Sequence, residues 1–585
     1  MTDVPRRRPR IALACALLLA GLAAGPAAAA DDNAADAALR AIYDAEWAWR
    51  REQADDEDPN ADVQPDRLPR VDAATQQRRL AYWTTVLERL DAIDVAALSA
   101  EERINARIFR TLVEAQANDI RFRTYEAPFT ANNFFWASIV PRAGITDAAG
   151  YRRQIARMRD VPRYFDEQIA NMRAGLDRGF SLPKVVLDGR DATVVPFTVA
   201  GEDNPLYAPF RRMPAQIPEA EQRQLRAEAM AAIGDAAVPA YRTLLAFLRE
   251  EYVPRARTTL GASELPDGAA YYQAMLRKFT TLDMTPAQIH QVGLDEMARI
   301  RGEMDAIIRQ VGFRGSFAQF LEFLRTDPQF YATTPDELLG RASLVVMRAN
   351  GQLRHVIGTL PRYRHGLVAI PAEIAATNTG GRGGLQNCMF NTYNLPARPL
   401  YTLPALALHE CTPGHSFQFA LALEAPARPP FRQQAKFSGY IEGWGLYTEW
   451  LGVQMGIYQT PYEDFGRLTY EAWRAARLVI DTGIHAFGWS RERAIAYLRD
   501  NTALAEHEIV TEVDRYIGQP GQAAAYKLGE LQIRRHRAEA EAALGPRFDQ
   551  RAFHDALLAI GPVPLPVLEE SMKRFIEDQR VAPAR

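Results

Sequence analysis

Hydrophobic residues recur at spacings of three and four along most of the chain, which is the period of an amphipathic α-helix. The pattern runs from Ala73 to about Asn118 and returns over residues 150–178, 216–251 and 268–280. After Leu403 it continues nearly to the end of the chain. The pattern predicts a mainly α-helical protein.

Two helix starts carry a capping signal. Thr285 and Thr334 are each followed by proline, and Gln288 or Glu337 stands at the third helical position. The threonine can accept from an early backbone N–H, and the Gln or Glu side chain can reach back to the cap. Both segments are predicted to be capping boxes.

Strand patterns are few. Residues 367–371 (LVAIP) and 385–394 (LQNCMFNTYN) are the best candidates, and they flank the glycine-rich run TNTGGRGG. Such a run does not form a helix. We predict a small hairpin-like sheet within residues 366–395.

The length and composition suit a globular enzyme of several lobes, with 585 residues, 48% hydrophobic and 24% charged. We predict a signal peptide at residues 1–30, an N-terminal helical lobe at 31–280 and a catalytic helical region at 281–585. Residues 1–30 combine an arginine-rich start, an apolar core and small residues before Ala30, the pattern of a secretory signal. A lipid anchor on Cys15 is not expected, because no leucine stands three residues before it.

The predicted location is therefore periplasmic or secreted, with no membrane span in the mature chain. Removing four Arg and one Asp with the signal changes the net charge from −3 to −6. This balance argues against a nucleic-acid partner and leaves the oligomeric state open. Cys388 and Cys411 are the remaining cysteines, and two residues make no disulfide framework. We expect free thiols, and pairing in an oxidising compartment is the alternative.

Candidate chemistry centres on HECTPGH, residues 409–415. Zinc peptidases place two histidines four residues apart on one helix face, with a glutamate beside the first. Here His409 and His415 are six apart, which on a regular helix turns them about 120° away from each other. We predict that Pro413 and Gly414 form a two-residue bulge that brings His415 back to His409. The alternative is a helix break with two partly exposed histidines.

A second helix, residues 438–452, carries Glu442 and Glu449 seven apart on one face. Glu442 follows His415 by 27 residues, the position of the third ligand in gluzincin-type zinc peptidases. The alternative is a surface carboxylate, but this segment is rich in aromatic residues and predicted to be buried.

The motifs HECTPGH, EGWGLYTE, RLVIDTGIHAFGWS and PGQAAAYKLGEL, in this order, resemble the bacterial domain-of-unknown-function family 885. Members look like secreted zinc metallopeptidases with an H-E-A-x-P-G-H signature, so Cys411 departs from the usual Ala. The resemblance implies one Zn²⁺ per chain, held by His409, His415 and Glu442, and a water activated by Glu410. It also implies two helical lobes around a deep cleft.

Further site residues are predicted downstream. Arg477, Asp481 and His485 follow one helix face, and either form a structural network or place His485 as an oxyanion donor with Asp481 fixing its tautomer. Resemblance to helical zinc peptidases suggests Tyr526, with Tyr516 second, as a donor to the reaction intermediate. Glu449 is expected behind the ligands.

Substrate contacts are predicted on both sides of the motif. Arg477 or Lys527 could bind a terminal carboxylate, although a solvated helix face is the alternative for Lys527. Asn391, Tyr393 and Asn394 would line the site if residues 387–394 form an edge strand that an extended peptide joins.

The leading hypothesis is a zinc metallopeptidase acting on oligopeptides. The alternatives are a zinc hydrolase of a non-peptide amide or ester and a catalytically inactive peptide-binding protein. A serine hydrolase is disfavoured, since the chain has no G-x-S-x-G elbow.

Overall fold

The computed structural model describes residues 33–53, 65–141, 144–375 and 378–581. The predicted signal peptide lies outside these residues. The described chain is mainly helical, as the hydrophobic pattern predicts. The helices before residue 281 are α1 Ala34–Glu52, α2 Ala73–Asp91, α3 Ala100–Arg121, α4 Ala148–Asp177, α5 Ala208–Arg211, α6 Glu219–Ala232, α7 Val238–Phe247, α8 Val253–Arg255 and α9 Gly268–Thr280.

The second half continues with helices and one small sheet. Its helices are α10 Pro286–Gln310, α11 Phe317–Thr326, α12 Pro335–Val356, α13 Ala372–Ala375, α14 Leu403–Glu410, α15 His415–Glu424, α16 Pro430–Gln434, α17 Ser438–Gln454, α18 Pro461–Phe487, α19 Arg491–Asn501, α20 Glu506–Gly518, α21 Ala525–Leu544, α22 Gln550–Ala559 and α23 Leu565–Val581. The strands are β1 Gly366–Ala369, β2 Gly381–Arg382 and β3 Asn387–Phe390.

The two predicted helix caps differ in the structure. Thr285 and Gln288 form the complete capping box at the start of α10. Thr334 accepts from the backbone N–H of Glu337, but the Glu337 carboxylate binds the backbone and hydroxyl of Thr333 instead. The second capping box is therefore only half formed, because Thr333 offers two donors in place of one.

Two π-helical turns, Ile233–Ala237 and Leu248–Tyr252, join α6, α7 and α8 into one long segment. Among the described residues, this segment (Glu219–Arg255) alone has the length and hydropathy of a membrane span. Half of its most apolar window is buried inside the protein. One helix of this kind is weak evidence for a membrane span, because a core helix passes the same test of length and hydropathy.

The sheet has the strand order β1-β3-β2. β1 runs parallel to β3, and β2 runs antiparallel to it. The prediction of a hairpin built from the two apolar segments is wrong in its pairing, because the hairpin partner of β3 is the glycine-rich segment. β3 is consequently the central strand, and β2 is an edge.

The larger of two buried hydrophobic clusters runs through both halves, from Leu39 to Ile576. The nearly buried α18 lies against α10, and α17 packs closely on α21. The approach of α17 to α21 depends on Gly443 and Gly529, whose Cα atoms are too close for a side chain. The domain boundary proposed at residue 280 falls between α9 and α10 and stays a prediction.

Candidate metal centre

The HECTPGH segment consists of a helix end, a turn and a new helix. α14 ends at Glu410, residues 411–414 form the turn, and α15 begins at His415. A Cβ atom at Gly414 would lie 1.9 Å from the carbonyl oxygen of His409, so glycine is required there. The predicted bulge within one helix is wrong, because the helix stops and restarts.

Three side chains from three helices meet beside this turn. The Nε2 atoms of His409 and His415 lie 3.5 Å and 3.4 Å from Oε2 of Glu442 on α17. All three candidate ligand atoms lie within 4.8 Å of one another. Both histidines are buried, whereas the Glu442 side chain is 21% exposed. The group is therefore reachable from solvent on the side of the carboxylate.

Glu449 holds the ring of His409 from behind. Its Oε1 atom lies 2.8 Å from Nδ1 of His409 and 3.4 Å from Nη2 of Arg474. A proton on Nδ1 leaves the lone pair of Nε2 facing Glu442 and His415. This is the place that the helix spacing predicts for Glu449.

The electrostatics of the group favour a positive charge. Burial alone would lower the pKa of His409, but hydrogen bonds to Glu442 and Glu449 outweigh it and raise the pKa to about 9. Burial alone would raise the pKa of Glu442, but the two imidazoles hold it well below its usual range. The three side chains thus attract a cation, which can be a proton or a metal ion.

The donor set can be tested against a metal on its own chemistry. Two imidazole nitrogens and one carboxylate oxygen are ligands that suit Zn²⁺. One imidazole already has its other nitrogen bound to a carboxylate, the usual arrangement behind a ligating histidine. The residues fit a metal ion held by His409, His415 and Glu442.

Glu410 lies at the end of α14, next to the first histidine. Its Oε2 atom accepts a hydrogen bond of 2.6 Å from the backbone N–H of Gly383. A Cβ atom at Gly383 would lie 2.5 Å from the carbonyl oxygen of Glu410 and 2.6 Å from Cβ of His415. The glycine-rich segment therefore touches the motif directly, which the sequence pattern does not show.

A disulfide bond joins Cys388 of β3 to Cys411 in the turn. The expectation of free thiols is wrong. Both cysteines are fully buried, and their Cα atoms are 5.4 Å apart. The pairing was beyond sequence reasoning because only the sheet brings residue 388 next to residue 411.

Two further residues that sequence reasoning missed shape the group. A Cβ atom at Gly445 would lie 2.7 Å from the His409 ring, so this glycine lets α17 approach the first histidine. The indole N–H of Trp444 donates to the carbonyl oxygen of Pro413 at 2.8 Å and holds the turn. The motif EGWG carries both residues, and its two glycines were the available signal.

The prediction that His485 donates to the oxyanion is wrong. Its Nδ1 accepts from the backbone N–H of Ala262 at 3.1 Å, and its Nε2 donates to the carbonyl oxygen of Tyr516 at 2.9 Å. Burial lowers its pKa to about 3. The ring is neutral and both of its nitrogens are engaged by backbone groups.

Asp481 does not fix the tautomer of His485 either. Its carboxylate accepts from the hydroxyl of Tyr272 at 2.6 Å and from the backbone N–H of Gly521. Burial raises its pKa to about 7 despite these bonds. The helix spacing places Asp481 and His485 on one face of α18, but each has partners on a different neighbouring segment.

Arg477 and Tyr526 lie against each other. The Arg477 guanidinium stands 4.2 Å from the centre of the Tyr526 ring, and it also binds Glu512 and the Tyr516 hydroxyl. Tyr526 is half-buried, and the charge of Glu442 acts on it. The Tyr516 hydroxyl is engaged by Trp473, Arg477 and Glu512, which makes Tyr526 the better placed of the two tyrosines.

Two of the predicted substrate contacts are structural. Lys527 is fully buried and binds Glu296, Glu471 and Glu530, each at 2.9 Å, so its role as a carboxylate receptor and the alternative of a solvated face are both wrong. The buried Asn391 amide donates to three backbone carbonyl groups and accepts from the N–H of Tyr393. It has no group left for substrate.

Tyr393 and Asn394 are exposed in the turn after β3, with Asn394 in the left-handed region at φ 54°. Their contact with a substrate stays a prediction. The edge that an extended peptide could join belongs to β2, since both sides of β3 are occupied.

A mainly helical body with two histidines, two glutamates and a small sheet around one turn defines a helical protein with a candidate metal centre. The chain belongs to the family described as "Bacterial protein of unknown function (DUF885)", which matches residues 57–572. The family resemblance in the sequence motifs is thereby confirmed. No curated protein matches the chain.

Solved structures share the whole fold. A crystal structure described as a "putative lipoprotein" from Colwellia psychrerythraea matches with a TM-score of 0.86 and 26% identity, over 93% of this chain and 100% of that one. A "putative lipoprotein of unknown function" from Shewanella oneidensis matches with a TM-score of 0.65 and 18% identity, over 92% and 99%. The second likeness shows the fold alone.

Proposed function

We propose that the protein is a zinc-dependent metallopeptidase of gluzincin type that hydrolyses peptide bonds of oligopeptides. The observation that carries the proposal is the convergence of His409, His415 and Glu442 within 4.8 Å, with Glu410 adjacent in sequence and on the same turn. A bound Zn²⁺ would supply Lewis-acid chemistry toward water and a peptide carbonyl.

We assign the role of general base to Glu410. One of its oxygens accepts from Gly383, which holds the carboxylate in place at the end of α14. Its other oxygen has no hydrogen bond from the described residues and can take a proton from the attacking water. The same carboxyl group can then deliver that proton to the leaving amine.

We assign the role of oxyanion donor to Tyr526. Burial, and then the charge of Glu442, raise its pKa, so its hydroxyl stays protonated and able to donate. The guanidinium of Arg477 against the ring adds positive charge on that side. A hydroxyl held this way can donate to the carbonyl oxygen as negative charge develops on it.

The edge strand β2 offers a backbone surface for an extended substrate. The N–H of Asn391 donates to the carbonyl oxygen of Gly380, so residues 380 and 382 point their backbone groups toward β3. Backbone N–H and C=O groups alternate in direction along an antiparallel strand, so the backbone groups of Gly381 and Gly383 point to the free edge of β2. Gly383 meets Glu410 there, which leaves Gly381 to pair with a peptide.

We also propose an extracytoplasmic location. The signal-peptide pattern of residues 1–30 supports it, and so does the description of the neighbour from Colwellia psychrerythraea as a "putative lipoprotein". We propose that the signal is cleaved without lipid attachment, because no leucine stands three residues before Cys15.

The first test is the metal content of the purified mature protein by mass spectrometry, beside His415→Ala. We expect about one zinc ion per chain in the wild type and loss of zinc in the variant. Protein that stays free of metal after reconstitution would contradict the proposal. Zinc retained by a folded His415→Ala would show that the ligand set is wrong.

A further inference from the structure

Residues 380–384 offer an incoming peptide a single side chain. Four of the five residues are glycine, and the fifth is Arg382. Arg382 is exposed, and no carboxylate of the described chain forms an ion pair with it. Most other arginines near the site, such as Arg474 and Arg477, are buried and paired with glutamates.

The geometry places Arg382 where a substrate residue would lie. Gly381 and Gly383 turn their Cα hydrogens toward α14, since a Cβ atom on either would meet Glu410 within 3.4 Å. Side chains alternate along a strand, so the Arg382 side chain lies on the opposite, open face of the sheet. If a peptide residue paired with Gly381, the next peptide residue toward Glu410 would lie across from Arg382. The side chain of that peptide residue would lie on the same open face as the Arg382 side chain.

The chain segment around Arg382 has a net charge of the same sign as the arginine itself. Residues 360–400 contain four arginines and one glutamate, whereas the whole chain has a net charge of −3. The segment that borders the candidate site is thus basic in an acidic protein. A basic border attracts anionic substrates and disfavours cationic ones.

We propose that Arg382 selects oligopeptides with an aspartate or glutamate close to the cleaved bond. The inference rests on the proposed peptidase function, and it concerns which peptides the same site accepts. Arg382 acts as a specificity-determining residue: its guanidinium pairs with the substrate carboxylate and takes no part in proton transfer.

The experiment uses the zinc-reconstituted protein and a set of internally quenched decapeptides with Asp, Asn or Lys at each position in turn. We expect kcat/KM at one position near the cleaved bond to favour Asp over Asn by about three- to fivefold, the range of an exposed ion pair. The preference should shrink as salt rises. In Arg382→Gln it should vanish, and in Arg382→Glu it should turn toward Lys.

Arg364→Gln is the matched control, because Arg364 is also an exposed arginine but precedes β1 on the far edge of the sheet. It should keep the wild-type preference and zinc content. An Asp preference that is absent from the wild type, or that survives in Arg382→Gln, would overturn the inference.

A binding measurement distinguishes failure of this inference from failure of the proposed peptidase function. Fluorescence anisotropy of labelled Asp and Asn peptides can be measured on Glu410→Gln and on Glu410→Gln/Arg382→Gln. The wild type could cleave no peptide, while Glu410→Gln binds Asp peptides better than Asn peptides and Glu410→Gln/Arg382→Gln does not. That result would contradict the peptidase activity and support the role of Arg382. If neither protein discriminates, the role of Arg382 fails whether or not cleavage occurs.

Discussion

At the scale of single residues, the proposed role of Glu410 as general base can be tested separately from the proposed metal binding. Glu410→Gln keeps the size of the side chain and can still accept from Gly383. We expect zinc content and unfolding midpoint to be unchanged and turnover to fall by at least about 100-fold, since an amide cannot take the proton from water.

The measurements for this prediction are metal analysis and peptide hydrolysis on the same preparation. Glu88→Gln, on the exposed face of α2, serves as the control and should behave as wild type. Full activity in Glu410→Gln would contradict the assigned base.

Gly445→Ala tests the close approach of α17 to His409. The added Cβ atom would lie 2.7 Å from the ring, so His409 must move or α17 must shift. We expect a lower unfolding temperature and zinc affinity weaker by at least about tenfold. Chelator competition measures the affinity.

The matched control is Gly302→Ala on α10, where a Cβ atom meets nothing within 4 Å. There alanine should stabilise the protein by roughly 0.5–1 kcal/mol, because glycine is the poorer helix former. If Gly445→Ala behaves like Gly302→Ala, the contact does not constrain the site.

The residue scale also shows what sequence can predict. The sequence predicted that His409, His415 and Glu442 lie together, because one motif and one spacing carry them, and the structure brings these three side chains together. His485, Asn391 and Lys527 were misjudged because their partners are backbone carbonyls or carboxylates from distant segments. A polar residue in an apolar stretch predicts that a partner exists, but it does not say which one.

At the scale of elements, the disulfide between Cys388 and Cys411 ties β3 to the turn between α14 and α15. A loop closed over 23 positions is expected to contribute about 3 kcal/mol to the free energy of unfolding. Cys388→Ala/Cys411→Ala should lose about that amount in urea unfolding.

Reduced wild type gives the comparison for this prediction. It should unfold at the same urea concentration as the double variant, since both lack the cross-link. An unchanged midpoint in the double variant would show that packing alone holds the turn against the sheet.

Helix positions were predictable from period and caps, whereas the sheet was not. LVAIP and LQNCMFNTYN were recognised as strands, but their parallel pairing depends on the glycine-rich segment lying beside β3. A strand of two residues, one of them glycine, has no periodic signal. Similarly, the second cap failed because Thr333 competes for Glu337.

At the scale of the whole molecule, buried neutral histidines link stability to pH. Burial lowers the pKa of His485 to about 3 and that of His554 to about 4. Both titrate near 6.5 when unfolded. The unfolded chain therefore binds more protons between these values, so the free energy of unfolding falls as pH drops from about 6.5 toward 4.

His485→Gln and His554→Gln test this linkage through the slope of stability against pH, measured by urea unfolding from pH 4 to 6.5. Each variant should reduce the slope by up to about 1.4 kcal/mol per pH unit. His507→Gln, at an exposed position, should leave it unchanged. Equal slopes in all four proteins would contradict the assignment.

The hydrophobic cluster that spans both halves also explains why the number of domains is hard to predict from the sequence. Apolar helix faces show that a helix packs, but they do not name its partner. α16 packs on α3, and Arg432 binds Glu101 at 2.8 Å across the proposed boundary.

The disulfide also bears on the order in which the protein matures. Until Cys388 and Cys411 are oxidised, the Cys411 thiol directly follows Glu410 in the chain and the Cys388 thiol is its neighbour, and thiolates are strong zinc ligands. If the proposed zinc site is correct, oxidation before metal loading would remove these competitors and leave the metal to the histidines and Glu442. On the same proposal, chains kept in a reducing cytoplasm would bind zinc partly through the thiols, and chains exported before metal loading would not.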